Sequence, residues 1–262
     1  MDSYFLWDYT SDEIRALAPE CVAIQPVASV EQHGPHLPLG TDSMIVEEFA
    51  RRLREYFRRE HYPALFLPLL AYGKSNEHIN YPGTITYSAQ TFMDVLMDVG
   101  RSCARAGFRK LVFLNAHGGN FEVLDVMARE IRIETGMYVF SIQPSRLPSD
   151  RTKMGCAMTP DELRYGIHGG LAETSAILHV RPELVKRENF RESYPTCFEG
   201  CGYVDFSGKV SFGWMTKDVS NTGAVGNPVG ATAEQGEQWF DHLTAELYQA
   251  FVELRNLKRP GE

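Results

Sequence analysis

Hydrophobic and polar positions along the chain alternate between short apolar runs and stretches with helical periodicity. The apolar runs cover residues 21–30, 64–70, 110–114 and 137–142, and each has the length of a buried β-strand. Apolar residues between these runs recur every three or four positions, which predicts amphipathic helices. Near-continuous apolar strands separated by such helices are typical of a parallel sheet with helices on both faces.

Four helices are predicted in this way, and each has one apolar face. The repeating apolar positions are Ile45, Phe49, Leu53 and Phe57; Phe92, Val95, Leu96, Val99 and Cys103; Phe121, Leu124, Ala128 and Ile131; and Phe240, Leu243, Leu247, Phe251 and Leu254. No repeat, low-complexity tract or linker divides the chain. We therefore predict one α/β domain over residues 1–262, with a mostly parallel central sheet.

Ligands of such sheets bind beyond the carboxyl ends of the strands, so the residues that follow each apolar run are candidates for chemistry. The segment EQHGPHLPLGTD, residues 31–42, follows the first run and contains Glu31, His33 and Asp42. An extended backbone points Glu31 and His33 to the same side. Zn²⁺, Mn²⁺ and Fe²⁺ all accept such carboxylate and imidazole ligands. The alternatives are a helix cap at Asp42 or Ser43 and a plain loop carboxylate at Glu31.

The segment NAHGGN, residues 115–120, follows the third run and places His117 three residues past its end. Gly118 and Gly119 allow the backbone to approach a ligand closely. The alternatives are a loop histidine and an anion-binding turn before a helix. A P-loop is excluded because its Lys and Ser/Thr are missing.

Two further segments carry candidate side chains. In HGGLAETSAIL, residues 168–178, His168 and Glu173 precede or enter an apolar helical stretch. A buried glutamate in such a stretch needs a positive partner, which is either a metal ion or an arginine. The segment GKSNEHINYPGT, residues 73–84, offers a substrate-facing loop or an ordinary polar loop, and its candidate side chains are Ser75, Glu77 and His78.

Composition and charge narrow the classes of function. The chain is 44% hydrophobic and 23% charged, as in ordinary globular proteins. A net charge of −8 argues against a nucleic-acid partner. We find neither a signal-peptide pattern nor an apolar run of about 18 residues, and no membrane partner is expected. The 5 scattered cysteines do not form a disulfide framework, so we expect a cytoplasmic protein.

The motifs taken together resemble the creatininase (creatinine amidohydrolase) family. They are Glu-x-His with an Asp nine residues later, Asn-x-His-Gly-Gly-Asn, His-x-Gly-x-x-Glu-Thr-Ser, Ser-x-Glu-His-x-x-Tyr-Pro-Gly-Thr, and the late GAVGNPVGATAEQGE at 223–237. The likeness runs in the expected order over nearly the whole chain. It implies a three-layer α/β/α fold with two metal ions at the strand ends. It also implies a homo-oligomer, such as a hexamer.

The resemblance also implies a set of metal ligands. Glu31 and His117 are expected to hold one ion, His33 the other, and Asp42 to bridge both. In creatininase itself the second ion also takes a glutamate two residues after the histidine of the third-strand loop. That position is a glycine here, residue 119, so Glu173 is expected to supply the missing carboxylate. The ions are Zn, Mn or Fe.

The activity implied by the resemblance is hydrolysis by metal-activated water. We expect the substrate to be a small cyclic amide, a formamide or a similar molecule with a C–N bond. The alternatives are a ring-opening C–C hydrolase of a keto-inositol and a metal-binding protein without catalysis. A serine hydrolase is disfavoured because no Gly-x-Ser-x-Gly is present. A nucleotide-binding oxidoreductase would need Gly-x-Gly-x-x-Gly after the first strand, where EQHGPH stands instead.

Several side chains are expected to assist this reaction. His168 is the candidate proton shuttle, and its alternative role is a hydrogen-bonding partner of Glu173. Glu77 and His78 are expected to orient the reacting groups, and Ser75 to donate a hydrogen bond to the substrate. The segments 150–167 and 190–220 are expected to shape the pocket, with Trp214 among their aromatic residues.

Overall fold

A parallel sheet of four strands forms the centre of the structure, which is a computed structural model describing residues 3–147, 158–206, 210 and 212–257. The strands are β1 (Val22–Val27), β2 (Ala64–Phe66), β3 (Lys110–Asn115) and β4 (Tyr138–Ile142). Their order in the sheet is β2-β1-β3-β4, and every neighbouring pair is parallel. The predicted parallel sheet is confirmed.

Helices connect and cover these strands within the described ranges. They are α1 (Ser11–Leu17), α2 (Thr41–Arg59), α3 (Ala89–Ala106), α4 (Phe121–Thr135), α5 (Pro160–Tyr165), α6 (Leu171–Val180), α7 (Thr216–Val219) and α8 (Ala233–Asn256). All four helices predicted from periodicity are present as α2, α3, α4 and α8. Across the part of the chain described here, no helix combines the length and apolar character that a bilayer crossing requires.

Two predicted strands are longer than the strands in the structure. The run 64–70 is a strand only at Ala64–Phe66, and Leu67 adds one more backbone hydrogen bond to β1, from its N–H to the Ile24 carbonyl at 2.8 Å. The chain rejoins β1 at Leu70, which forms a single bridge with Val27. The run 21–30 is likewise a strand only at Val22–Val27.

The start of α2 differs from the predicted position. The helix begins at Thr41, so Asp42 lies in its first turn rather than before it. The residue before the helix is Gly40, and no side chain caps the helix there. The alternative that Asp42 or Ser43 caps this helix is therefore wrong, and the Asp42 carboxylate is available for other contacts.

Alternate side chains of each central strand point to opposite faces of the sheet and enter two separate apolar clusters. Val22 and Ile24 of β1 pack on one face, with α2, α6 and α8. Ala23 and Val27 of the same strand pack on the other face, with α1, α3 and α4. The structure therefore has the three α/β/α layers that the resemblance implies.

The pairing register brings the ends of β1 and β3 to one edge of the sheet. Val27 is the partner of Asn115, so the loops that follow both strands start side by side. The sheet edge at β1 and β3 is thus where the predicted ligands meet.

The predicted pocket segments are only partly described, since residues 150–157, 207–209 and 211 lie outside the ranges given above.

The contact between α6 and α8 provides a test of the layer packing. Gly236 of α8 faces the Ser175 carbonyl of α6 so closely that a Cβ atom would collide with the backbone. We expect Gly236→Ala to lower the free energy of unfolding by about 2 kcal/mol. Helix propensity alone would favour alanine over glycine by about 1 kcal/mol, so the sign is diagnostic.

Urea denaturation followed by circular dichroism measures this change. Gln238→Ala, at an exposed position of the same helix, is the control and should change stability by less than about 0.5 kcal/mol. A Gly236→Ala variant as stable as the parent would contradict the close approach of α6 and α8.

Candidate metal centre

The loop after β1 and the first turn of α2 bring three predicted ligands together. Glu31, His33 and Asp42 are each 1% exposed. The backbone N–H of Glu31 donates to the Leu39 carbonyl at 3.0 Å, which folds the loop back towards α2. The Ser29 hydroxyl donates to Asp42 Oδ2 at 2.7 Å and fixes the orientation of this carboxylate.

The loop after β3 places His117 beside these carboxylates. Its backbone N–H donates to Asn115 Oδ1 at 3.1 Å, and its carbonyl accepts from Asn115 Nδ2 at 2.6 Å. The Asn120 side chain donates to the Ala28 carbonyl of the neighbouring loop at 3.1 Å. The two asparagines of NAHGGN therefore hold His117 against the β1 loop.

The first turn of α6 supplies the remaining predicted ligand, Glu173. Its Oε2 accepts a hydrogen bond from the Gly169 N–H at 2.6 Å. A carboxylate in this turn is also favoured by the positive end of the helix dipole. Burial raises the pKa of Glu173 to about 7, because the nearby His33 only partly offsets the loss of solvent. Glu173 faces His33 and not an arginine within the described ranges.

Two groups of ligand atoms share Asp42. His117 Nδ1 lies 3.2 Å from Glu31 Oε1 and 3.2 Å from Asp42 Oδ2. On the other side, His33 Nε2 lies 3.2 Å from Asp42 Oδ1 and 4.0 Å from Glu173 Oε2. Within each group the ligand atoms all lie within 4.8 Å of one another. Asp42 thus offers one oxygen to each group.

Buried atoms in both groups have no hydrogen-bond partner among the residues that the structure describes. They are Glu31 Oε2 and His33 Nε2. Burial opposes charge on His33, but the carboxylates around it, Asp42 first, raise its pKa to about 9. Burial likewise opposes ionisation of Asp42, yet His33 and His117 lower its pKa. Such a field attracts positive charge, and an unpaired buried polar atom is costly without a partner.

Each imidazole points one ring nitrogen at the carboxylates, and a bound cation would take the place of the proton there. His117 Nε2–H donates to the Lys74 carbonyl at 2.9 Å, which leaves Nδ1 free to face Glu31 and Asp42. His33 Nδ1 lies 3.2 Å from the Glu31 carbonyl, which leaves Nε2 for the second group. A hydrogen bond on the outer nitrogen is the usual arrangement of a metal-binding histidine. The residues therefore fit two divalent ions with nitrogen and oxygen ligands.

His168 lies between two other imidazoles at the edge of this centre. Its ring is 4.1 Å from the ring of His33 and 4.2 Å from that of His78. Nε2–H donates to the Gln32 carbonyl at 2.6 Å, and Nδ1 lies 3.6 Å from Glu31 Oε1. Burial, with His33 and His78 adding to it, lowers the pKa of His168 well below its ordinary value. The neutral His168 ring faces Glu31. The alternative role, as a hydrogen-bonding partner of Glu173, would need a contact with Glu173 instead.

The loop 73–84 lies against the centre and is not an ordinary exposed loop. His78 Nε2 is 3.5 Å from Glu31 Oε1, and Glu77 Oε1 is 3.5 Å from His117 Nε2. Ser75 is fully buried, and its hydroxyl lies 3.3 Å from His117 Nε2. This nitrogen faces away from Glu31 and Asp42, so Ser75 supports the His117 ring in this structure. Its predicted contact with a substrate stays a prediction.

The aromatic residue predicted for the pocket lies beside the same loop. The ring of Trp214 meets the ring of His78 edge to face, with centroids 6.3 Å apart. The ring of Phe206 also contacts that of Trp214, with centroids 5.3 Å apart. This group of aromatic side chains is therefore adjacent to the candidate centre, and the predicted substrate contact of Trp214 stays a prediction.

The glycine at position 119 has a packing reason. A Cβ atom there would collide with Glu77 Oε1, the Lys74 carbonyl and His117 Nε2. The space that a side chain at 119 would need is therefore filled by the loop 73–84. A glutamate at this position, as in creatininase, does not fit this backbone, whereas Glu173 reaches the His33 side of the centre.

Sequence reasoning missed several residues that hold the centre. The amide of Gln32 lies 2.8 Å from His78 Nδ1 and donates to the Gly223 carbonyl at 2.9 Å. His36 Nε2–H donates to the Gly169 carbonyl at 2.9 Å. Both residues lie inside EQHGPH, so the motif contained the signal. A single sequence does not show which distant residues these two side chains contact.

Comparison with known proteins places this chain in a family. The creatininase family profile, described as creatinine amidohydrolase, matches residues 7–251. The mycofactocin precursor peptide peptidase of Mycolicibacterium smegmatis is 32% identical over 235 residues, or 89% of this chain and 85% of that protein. The creatinine amidohydrolase of Pseudomonas putida is 30% identical over 199 residues, or 71% and 74%. The 3-dehydro-scyllo-inosose hydrolase of Thermotoga maritima is 28% identical over 203 residues, or 77% and 64%.

Solved creatininase structures share the fold over nearly all of the chain. A manganese creatininase superposes with a TM-score of 0.76 at 26% identity, covering 98% of this chain and 100% of that one. A mutant creatininase of the Zn-Zn type gives a TM-score of 0.76 at 25% identity, with the same coverage. The profile match, the relatives and the fold agree: the chain belongs to the creatininase family.

Proposed function

We propose that this protein is a hydrolase that uses two divalent metal ions to cleave an amide C–N bond. One observation carries the proposal, namely the position of Asp42 between two groups of ligand atoms, with one oxygen facing each. A buried carboxylate shared in this way is the arrangement by which two-metal hydrolases hold their ions close together. The family membership supports the same reaction class.

We assign the ligands from the two groups. Glu31, His117 and Asp42 would hold one ion, and His33, Glu173 and Asp42 the other. The absence of thiolates from these groups fits Zn²⁺, Mn²⁺ and Fe²⁺. When bound, the ions would lower the pKa of water and polarise a substrate carbonyl.

The chain's own residues would then manage the protons. His168 presents an unprotonated Nδ1 towards the centre because its Nε2–H is held by the Gln32 carbonyl. It would accept a proton from the attacking water and deliver it to the leaving nitrogen. Glu77 and His78, on the loop 73–84, would keep the His117 and His168 rings in place.

The substrate is proposed to be a small amide or the end of a short peptide. The relatives with 30% identity or more include four mycofactocin precursor peptide peptidases and a creatinine amidohydrolase, and both names describe cleavage of a C–N bond. The inosose hydrolase, at 28% identity, keeps the ring-opening C–C reaction as the second candidate. A binding protein without catalysis would usually lose a ligand, and all of the assigned positions carry competent side chains.

Location and assembly stay predictions. A reducing compartment fits the described cysteines Cys21, Cys103, Cys197 and Cys201, none of which is in a disulfide. The homo-oligomer rests on the family resemblance. Both are separate from the chemistry of the centre.

Metal content tests the ligand assignment. We expect elemental mass spectrometry to find about two divalent ions per chain in the parent and about one in Glu173→Gln, because only the second group contains Glu173. Glu234→Gln is the matched control, since Glu234 is also an acid in the first turn of a helix but is exposed. A parent that binds no metal after reconstitution would contradict the assignment.

The role of His168 predicts a separation of catalysis from metal binding. We expect His168→Asn to lower kcat by about 10²- to 10⁴-fold, since a positioned proton carrier is lost, and to keep both ions. His61→Asn, at an exposed position away from the centre, should leave kcat unchanged. If His168→Asn instead loses an ion, His168 is a ligand and not a proton carrier.

Product analysis in heavy-oxygen water tests the type of bond cleaved. We expect a hydrolysed peptide or cyclic amide to give a freed amino group and a carboxylate that carries one labelled oxygen. A formamide and a keto-inositol complete the panel. Turnover of the keto-inositol alone, with no amine released from any amide, would favour the second candidate.

A further inference from the structure

A further buried carboxylate lies outside the two groups of candidate ligands and takes no part in the proposed chemistry. It belongs to Glu162 of the short helix α5, and the residue is 5% exposed. Buried carboxylates are rare unless their oxygens are fully hydrogen-bonded, so its partners indicate its role.

The carboxylate of Glu162 accepts hydrogen bonds from three separate segments. Oε1 accepts from the Leu171 N–H at 2.6 Å, and Leu171 is the first residue of α6. Oε2 accepts from the Asn227 N–H at 2.7 Å and from the Tyr194 hydroxyl at 3.1 Å. All three partners are donors, which is why an acid and not an amide suits this position.

Glycines surround this carboxylate and leave it room. A Cβ atom at Gly166 or Gly170 would collide with the Glu162 side chain. A Cβ atom at Gly226 would lie 3.3 Å from Glu162 Oε1 and even closer to Gly170. The backbone is therefore packed around the Glu162 carboxylate, which connects α5 to the segments that surround it.

The segments held by Glu162 are those that carry His168 and Glu173. Gly169, directly after His168, donates to Glu173 Oε2 at 2.6 Å, and α6 begins two residues later. On the other side, Val225 pairs with His168 through backbone hydrogen bonds of 2.7 and 3.0 Å. Glu162 thus holds Leu171, which follows the turn with His168, and Asn227, which follows the segment that pairs with His168.

We propose that Glu162 is a positioning residue for the metal ion held by His33, Asp42 and Glu173. It acts through α6, because fixing the Leu171 N–H fixes the turn that aims Glu173 at His33. The other ion site uses Glu31, Asp42 and His117, which come from the β1 loop, α2 and the β3 loop, so none of its ligands lies on α6. This inference rests on the proposed function.

Titration of the metal-free protein with Mn²⁺ against a competing chelator tests the proposal. The parent should bind two ions. In Glu162→Gln, an NH2 group replaces one of the two carboxylate oxygens, so a donor faces another donor. The ion at the α6 side should therefore bind at least about tenfold more weakly, the range seen when a supporting hydrogen bond of a metal site is lost. The other ion should keep its affinity.

Two further variants separate positioning from a general loss of structure. Tyr194→Phe removes one of the three donors, so it should lower the affinity for the same ion less than Glu162→Gln does. Glu192→Gln is the control, because Glu192 accepts from the Asn227 side chain but is exposed and does not contact α6. It should bind both ions as the parent does.

The outcomes are distinguishable. The proposal is supported if Glu162→Gln has a parent-like circular dichroism spectrum and a lower affinity for the α6-side ion alone. Equal weakening of both ions, or parent-like binding of both, overturns it. Should Glu162→Gln not fold, the Tyr194→Phe titration decides by the same criterion. A parent that fails to bind two ions overturns the proposed function itself.

Discussion

The sharing of the Asp42 carboxylate between His33 and His117 is the interaction on which the candidate centre depends. Each histidine comes from a different loop, and α2 brings the carboxylate between them. This meeting requires β1 and β3 to be parallel neighbours in register, so that Val27 and Asn115 end together. The apolar layers on both faces of the sheet hold that register.

The same arrangement is costly when no cation is present. Glu31 and Asp42 are buried beside one another, and burial of a carboxylate opposes its ionisation. The structure offsets this cost with imidazoles, with Ser29 on Asp42, and with the asparagines that hold the β3 loop. The scaffold is therefore organised around positive charge that the protein side chains supply only in part.

Much of this was predictable from the sequence because strand ends and ligand types are local signals. Glu31, His33 and His117 directly follow apolar runs, and the parallel-sheet rule places such residues at one edge. The short β2 was not predicted, since the apolar run continues through Pro68. The partners of Gln32 and Glu162 were also missed, because tertiary packing brings them together. Gly223, which accepts from Gln32, is 191 residues away along the chain. Gly119 was noticed as a departure, but only the structure shows that Glu77 fills its space.

In the proposed hydrolase, Asp42 would be a ligand of both metal ions. Crystals of the protein grown with Mn²⁺ and measured near the manganese absorption edge test it most directly. We expect two anomalous peaks about 3.5–4 Å apart, one beside each oxygen of Asp42. A single peak, or two peaks on the same side of Asp42, would contradict the proposal that Asp42 holds both ions.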